Sequence, residues 1–144
     1  MKVLVIRFSS IGDIVLTTPV IRCIKKQIPD AEIHFLVKKN FVPVIAHNPY
    51  IDKIHSFESN VRDCLPALCK ENFDHIIDLH HNFRSAHVKR AVKAPAFSFH
   101  KLNIEKWLLV NLRINKLPNA HIVDRYFETV KTLGVKNDGA GLDY

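Results

Sequence analysis

The sequence predicts an α/β fold with a parallel β-sheet and helices on both faces. Short apolar runs bounded by turn residues recur along the chain, and the stretches between them are long enough for helical crossovers. The order reads β-α-β-α-β, and such crossovers join parallel strands with a right-handed turn. With 144 residues, 47% of them hydrophobic, the chain can bury one core. A Rossmann-like sheet is therefore the predicted architecture.

The apolar runs place five strands, at 3–6, 32–37, 51–57, 74–79 and 94–99. The intervening helices are predicted at 12–28, 59–71 and 82–93. Pro19 interrupts the first of these, so either that helix kinks or Thr18 caps a second helix with Pro19 at its first position. A closing helix over 121–134 should stop at Gly134.

Composition bounds the domain organisation and the partners. We expect one domain over 1–135, followed by the start of a linker at 136–144, where Asn, Asp and Gly accumulate. The net charge of +7 favours anionic partners: phosphates, acidic sugars, nucleic acid or an anionic membrane surface. Three cysteines indicate reduced thiols, with Cys23 buried. The apolar start is too short for a signal peptide or membrane span, which predicts a cytoplasmic protein.

The loop after the first strand allows two interpretations. Ser10-x-x-Asp13 has the spacing of a capping box, with Asp in place of the usual Glu or Gln. Alternatively, Asp13 is a general base, Ser9 and Ser10 contact a substrate, and Gly12 lets the backbone approach it closely. A helix N-terminus would lower the basicity of that carboxylate. Neither G-x-G-x-x-G nor a P-loop is present, so NAD binding and ATP hydrolysis are not expected.

A second polar group follows the strand at 74–79. If the chain stays extended there, Asp78, His80, Asn82 and Arg84 face one way and form a wall that binds a polar ligand. The planar fork of Arg84 suits a carboxylate or phosphate. Solvated loop residues are the alternative.

The remaining histidines of this region predict no metal site. A zinc site would have to use residues such as His75, His80, His81 and His87. However, no cysteine pair has zinc-finger spacing and H-E-x-x-H is absent.

The segment 100–119 is apolar and basic together. It is either a half-buried helix whose lysines, such as Lys101, extend to solvent, or an interfacial element that touches anionic lipid. Nucleic acid is not predicted as a partner, because the basic residues are spread along the chain without an RNA- or DNA-binding signature.

Three motifs together resemble a known family. They are R-x-S-x-x-G-D-x-x-x-x-x-P from Arg7 to Pro19, D-L-H-H-N-F-R-S from Asp78 to Ser85, and H-I-V-D-R-Y from His121 to Tyr126. Over nearly its whole length, the chain resembles the amino-terminal half of the ADP-heptose:lipopolysaccharide heptosyltransferases, glycosyltransferase family 9.

The resemblance implies one half of a two-domain GT-B enzyme, a metal-independent inverting transferase at the cytoplasmic face of the inner membrane. Asp13 matches the base that deprotonates the acceptor hydroxyl, and Ser9, Ser10 and Gly12 match the loop around it. The acceptor, the lipopolysaccharide inner core, would contact His80, Asn82, Arg84 and Lys101. No cofactor is implied.

The resemblance further implies that the donor, ADP-heptose, is bound mainly by a carboxyl-terminal half that these residues do not include. The 144 residues alone should therefore be inactive. A non-catalytic binding module for an acidic glycolipid or anionic membrane is the alternative function.

Overall fold

The strands form one five-stranded sheet in which every neighbouring pair is parallel. The computed structural model describes residues 1–98 and 118–142. The sheet order is β3-β2-β1-β4-β5. The strands are β1 (Lys2–Ile6), β2 (Glu32–Lys38), β3 (Lys53–Phe57), β4 (His75–Asp78) and β5 (Ala96–Ser98). All five lie where the apolar runs predict them, and β1 is central because the chain crosses from it first to one side of the sheet and then to the other.

Among the described residues, six α-helices accompany the sheet, and three short 3-10 turns lie at Lys39–Phe41, Val61–Cys64 and Lys131–Leu133. The helices are α1 (Ile11–Val15), α2 (Thr18–Gln27), α3 (Val42–Ile45), α4 (Leu65–Lys70), α5 (Phe83–Val92) and α6 (Pro118–Glu128).

The predicted first helix is two helices. Thr17 is the N-cap residue of α2 and Pro19 follows in its first turn, so the helix restarts one residue earlier than the capping alternative placed it. Pro suits this position because a backbone N–H there has no partner within the helix. The closing helix ends earlier than predicted, at Glu128, and Gly134 ends the 3-10 turn beyond it with a left-handed φ of 77°.

Helices cover both faces of the sheet, as predicted. Val3 and Val5 of β1 pack on the face covered by α2 and α6, whereas Leu4 and Ile6 pack on the face covered by α4 and α5. All four side chains are fully buried. Burying an aliphatic side chain of this size contributes about 1.5–3 kcal/mol, so a strand buried on both faces is a main source of stability.

The thiols occupy different environments. Cys23 and Cys64 are buried and Cys69 is exposed, and all three are free. Burial raises the pKa of the Cys23 thiol and raises that of Cys64 to about 11. The prediction that Cys23 is buried is confirmed.

The segment after Gly134 packs back onto α2. The Gln27 side chain donates to the Lys136 carbonyl and accepts from its N–H. The buried Arg22 guanidinium donates to both carboxylate oxygens of Asp138, at 2.9 and 2.7 Å. The residues predicted to begin a linker are therefore attached to the domain as far as 138. Within the described ranges, no helix has both the length and the apolar character needed to span a bilayer.

Candidate active site

The loops after β1 and β4 meet at the carboxyl edge of the sheet. These strands are neighbours at the point where the strand order reverses, which is where open α/β sheets bind ligands. Arg7, directly after β1, donates from Nη1 to the Leu79 carbonyl at 2.9 Å. The Phe8 N–H donates to His80 Nδ1 at 3.3 Å. The sheet thus holds the two polar loops of the sequence against each other.

Asp13 lies in the first turn of α1, and its carboxylate is held from two sides. Ser10 Oγ donates to Asp13 Oδ2 at 2.9 Å, and Arg7 Nη2 lies 3.0 Å from the same oxygen. The Asp13 side chain is 37% exposed, whereas that of Arg7 is 7% exposed. A buried cation therefore orients a carboxylate that solvent can reach.

The capping interpretation of this loop is only partly realised. Ser10 is the N-cap residue of α1, but its side chain caps no backbone N–H and donates to Asp13 instead. The peptide bond between Ser9 and Ser10 is cis. Ser10 thus positions the Asp13 carboxylate, which leaves that carboxylate available for chemistry.

The pKa of Asp13 lies below its ordinary value. Burial of the carboxyl raises this pKa, but the charge of Arg7 and the hydrogen bonds from Ser10 lower it by more. Asp13 is consequently ionised at neutral pH, in the form that accepts a proton.

A groove of about 420 Å³ opens beside this loop. Its walls are mostly apolar, and the Asp13 carboxylate is the charged group among its lining residues, which are Ser10, Gly12, Asp13, Val15, Leu16, Ile122 and Leu142. A Cβ added to Gly12 would meet no atom within 4 Å, so the space above this glycine is open. A concave, mostly apolar site with a few polar groups, here Ser10 and Asp13, is the usual form of a small-ligand site.

The residues after β4 do not form an extended wall. The condition of the prediction for 78–84, an extended chain, is not met: the chain turns at His81, which has a left-handed φ of 55°, and α5 begins at Phe83, close to the predicted helix start at 82. Asp78 is fully buried; Oδ1 accepts from the backbone N–H groups of His80 and His81, and Oδ2 lies 3.0 Å from Lys89 Nζ. Asp78 is thus placed to hold the loop rather than to contact a ligand.

The other predicted site residues of this region are dispersed. His80 is buried against the Phe8 ring and joins the two loops. Asn82 is the N-cap residue of α5 and forms a full capping box with Ser85. Arg84 is exposed in the first turn of that helix. Among the described residues, the groove lining includes none of these side chains.

Two parts of the sequence prediction lie outside the described residues. Lys101 falls there, and so does nearly all of the apolar and basic segment 100–119. Ser9 is half-buried. It directly precedes the lining residue Ser10 in the sequence, but it does not itself line the groove.

Two further residues of this site were not singled out from the sequence. Arg7 contacts Asp13. Tyr126 of α6 is almost fully buried, and the charges of Arg7 and Asp13 both influence the pKa of its hydroxyl. Burial raises the pKa of Tyr126 to about 12, so its hydroxyl stays protonated. Arg7 begins the first of the three motifs given above and Tyr126 ends the third, so the motifs were the sequence feature that could have identified these two residues.

Comparison with known proteins points to one group of enzymes. No family model matches the chain. It is 30% identical over 135 residues to lipopolysaccharide heptosyltransferase 1 of Campylobacter coli, across 88% of this chain and 40% of that protein. The chain thus spans about two fifths of the length of the curated relatives it matches.

Solved structures share the fold. The E. coli heptosyltransferase WaaC with ADP aligns at a TM-score of 0.73 and 20% identity, over 100% of this chain and 50% of that one. The family 9 glycosyltransferase of Veillonella parvula DSM 2008 aligns at 0.67 and 21%, over 99% of this chain and 45% of that one. These shares fit one half of a GT-B architecture. The resemblance to the lipopolysaccharide heptosyltransferases of glycosyltransferase family 9 is therefore confirmed over nearly the whole chain.

Proposed function

We propose that this chain is the acceptor-binding half of an inverting heptosyltransferase that transfers heptose from ADP-heptose to the lipopolysaccharide inner core. The observation that carries the proposal is the Asp13 carboxylate, oriented by Arg7 and Ser10 at a groove on the carboxyl edge of the sheet. The similarity to heptosyltransferases supports the reaction class.

The reaction is a single displacement. An acceptor hydroxyl oxygen forms a bond to the anomeric carbon of the heptose while the bond from that carbon to the ADP oxygen breaks, which inverts the anomeric configuration. The hydroxyl proton passes to Asp13. We assign the proton to Oδ1, because Oδ2 already accepts from Ser10 and Arg7.

The low pKa of Asp13 constrains the timing of that proton transfer. A carboxylate with a low pKa is a weak base, and a free sugar hydroxyl is far less acidic than the Asp13 carboxyl group. Asp13 therefore does not deprotonate the hydroxyl before the reaction begins. The acidity of this hydroxyl rises as its oxygen bonds to the anomeric carbon, so Asp13 takes the proton late. The charge of Arg7 helps to hold the pKa of Asp13 below its ordinary value, which favours the ionised carboxylate until that point.

Acceptor binding is assigned to basic groups beyond the groove. Arg84 is exposed at the start of α5, on the same sheet edge as Asp13, and its guanidinium suits the carboxylates and phosphates of an acidic acceptor. Phe83 beside it is 96% exposed, and a ring next to a cation suits a headgroup boundary. We therefore extend the proposal to peripheral contact with an anionic membrane at the cytoplasmic face.

Substituting Arg84 tests this assignment. Arg84→Ala should weaken binding of an inner-core acceptor about tenfold, the loss of one charge-assisted contact of roughly 1.4 kcal/mol, without lowering the melting temperature. Arg90→Ala, an exposed arginine in the last turn of the same helix, is the matched control. Equal acceptor affinity in wild type and Arg84→Ala would remove Arg84 from the site.

The donor is assigned to a second half outside these 144 residues. The full-length protein should transfer heptose from ADP-heptose to an inner-core acceptor, and the 144 residues alone should bind acceptor without transferring. If the folded full-length protein binds acceptor and transfers nothing, the chain is a binding module for an acidic glycolipid. If it transfers from another nucleotide-sugar, the donor assignment is wrong.

A further inference from the structure

A second group of functional side chains lies at the opposite, amino edge of the sheet. His34 of β2 and His55 of β3 stack with ring centroids 5.1 Å apart, and Glu71 follows α4 beside them. The Phe73 ring packs edge-on against His34, with centroids 5.1 Å apart. Both histidines are buried, and the Glu71 side chain is 20% exposed. Sequence reasoning passed over these three residues.

We propose that His34, His55 and Glu71 bind a Zn²⁺ ion. Among the residues the structure describes, they form the one group of at least three potential metal ligands whose donor atoms lie this close together. The proposal is independent of the transfer reaction, because the cluster and Asp13 lie at opposite edges of the sheet.

The three donor atoms lie near the spacing of a zinc site. His34 Nδ1 lies 2.9 Å from His55 Nε2 and 3.0 Å from Glu71 Oε2, and the last two atoms are 4.0 Å apart. Zinc binds nitrogen and carboxylate oxygen at about 2.0–2.2 Å, so its tetrahedral ligands lie roughly 3.3–3.6 Å from one another. Side-chain shifts of about 0.5 Å would bring the three atoms to that spacing, and the partial exposure of Glu71 leaves room for a water as fourth ligand.

The hydrogen-bond partners of the two His34 ring nitrogens favour a cation between His34 Nδ1 and Glu71 Oε2. His34 Nε2 lies 2.7 Å from Glu32 Oε2, and a carboxylate only accepts, so Nε2 carries a proton. In the neutral ring, Nδ1 then presents a lone pair to the Glu71 oxygen 3.0 Å away. These two acceptors repel each other; without metal the repulsion is offset by a second proton on the ring or by a hydrogen bond to Nδ1 from His55 Nε2, 2.9 Å away, whereas a metal ion would bind all three atoms.

The surroundings match those of histidine-bound zinc. A ligating histidine generally donates its other ring N–H to a carboxylate, which is what Glu32 provides for His34. Lys53 Nζ, 3.6 Å from Glu71 Oε2, is the opposing charge, but its side chain is 56% exposed and can turn to solvent.

Titration of the metal-free chain with Zn²⁺ near neutral pH tests the proposal. We expect one ion per chain by calorimetry, a higher melting temperature in zinc, and visible absorption of four-coordinate Co²⁺ that Zn²⁺ displaces. Glu32→Gln should weaken zinc binding about 10–100-fold, as loss of an outer-shell carboxylate does, and Glu71→Gln should weaken it further. His47→Gln, an exposed histidine outside the cluster, should change nothing.

Control measurements keep folding and binding separate. The melting temperature of each variant without metal reports folding, and His55→Gln replaces Glu71→Gln if the latter does not fold. Absence of zinc heat and cobalt absorption in the folded wild type would overturn the proposal, as would equal zinc affinity in Glu71→Gln. The cluster would then hold a proton on His34 and no metal.

Discussion

At the scale of single residues, Arg7 lowers the pKa of Asp13 and orients its carboxylate. Its guanidinium is buried between the Leu79 carbonyl and Asp13 Oδ2, with contacts of 2.9 and 3.0 Å. A buried cation needs such partners, because removing it from water is costly. Because buried Arg7 needs a carboxylate beside it, the same ion pair also fixes the position of Asp13, the proposed base.

Replacing Arg7 should raise the pKa of Asp13. In Arg7→Met the burial of the carboxyl remains and the opposing positive charge is lost, so the pKa should move above its wild-type value. Carbon-detected NMR titration of the Asp13 carboxyl measures this directly, with the exposed Arg62→Met as control. An Asp13 pKa equal in the two variants would show that Arg7 does not set it.

The same pair gives a direction to the pH dependence of stability. Because the folded-state pKa of Asp13 is depressed, the pair stabilises the fold above the unfolded-state pKa of an aspartate, about 3.9, and this contribution is lost as the pH falls through the folded-state value. In Arg7→Met, the free energy of unfolding should therefore depend less on pH in the acid range than it does in the wild type.

At the scale of elements, the start of α5 explains why the loop after β4 turns. Asn82 Oδ1 accepts from the Ser85 N–H at 2.9 Å, and Ser85 Oγ accepts from the Asn82 N–H at 2.8 Å. This reciprocal pair satisfies two backbone donors that the helix itself leaves unpaired. Helix initiation therefore prevails over an extended chain at this position.

Removing that cap should destabilise the protein measurably. Asn82→Ala should lower the free energy of unfolding by about 1 kcal/mol, whereas Asn82→Ser, which keeps a capping oxygen, should lose much less. Urea denaturation of the two variants measures the difference. Equal midpoints for Asn82→Ala and wild type would mean that Asn82 serves a ligand and not the helix.

A comparison of the observed helices and strands with the predicted ones shows which sequence patterns predict an element. β1, β2 and β4 were predictable because buried parallel strands are continuous apolar runs, whereas the partly buried edge strands β3 and β5 were located from apolar residues between turn signals. The helix predicted at 82–93 forms as α5, and the extended arrangement considered for 78–84 does not form because it overlaps the start of that helix at Asn82. The four-residue α3 is too short to show a helical period, so nothing in the sequence separated it from a loop.

At the scale of the whole molecule, the site depends on parts of the chain that are distant in sequence. The loop at Ser10–Asp13 was predictable, but Ile122 and Leu142, which close the groove, come more than a hundred residues later. No local pattern reports such a contact. The segment that carries Leu142 is held by Arg22 and Asp138, so this ion pair supports one wall of the groove.

Breaking that ion pair should release the carboxyl-terminal segment. The hydrogen bonds from Arg22 hold the pKa of Asp138 well below its usual range, so the attachment should persist above the ordinary aspartate range and weaken as the pH falls through the folded-state pKa. Asp138→Asn should therefore be cleaved faster after residue 136 in limited proteolysis, with the exposed Asp30→Asn as control. Unchanged cleavage would show that Gln27 and packing suffice.

The measurement that tests the central proposal most directly is heptose transfer by the full-length protein with Asp13 intact and replaced. Asp13→Asn preserves shape and removes the base, so turnover from ADP-heptose to an inner-core acceptor should fall by about two to four orders of magnitude. Acceptor affinity should change little, the melting temperature should fall because buried Arg7 loses its carboxylate partner, and the exposed Asp63→Asn should transfer normally. Near wild-type turnover in a folded Asp13→Asn protein would contradict the proposal and leave Asp13 as a partner of Arg7 and Ser10 alone.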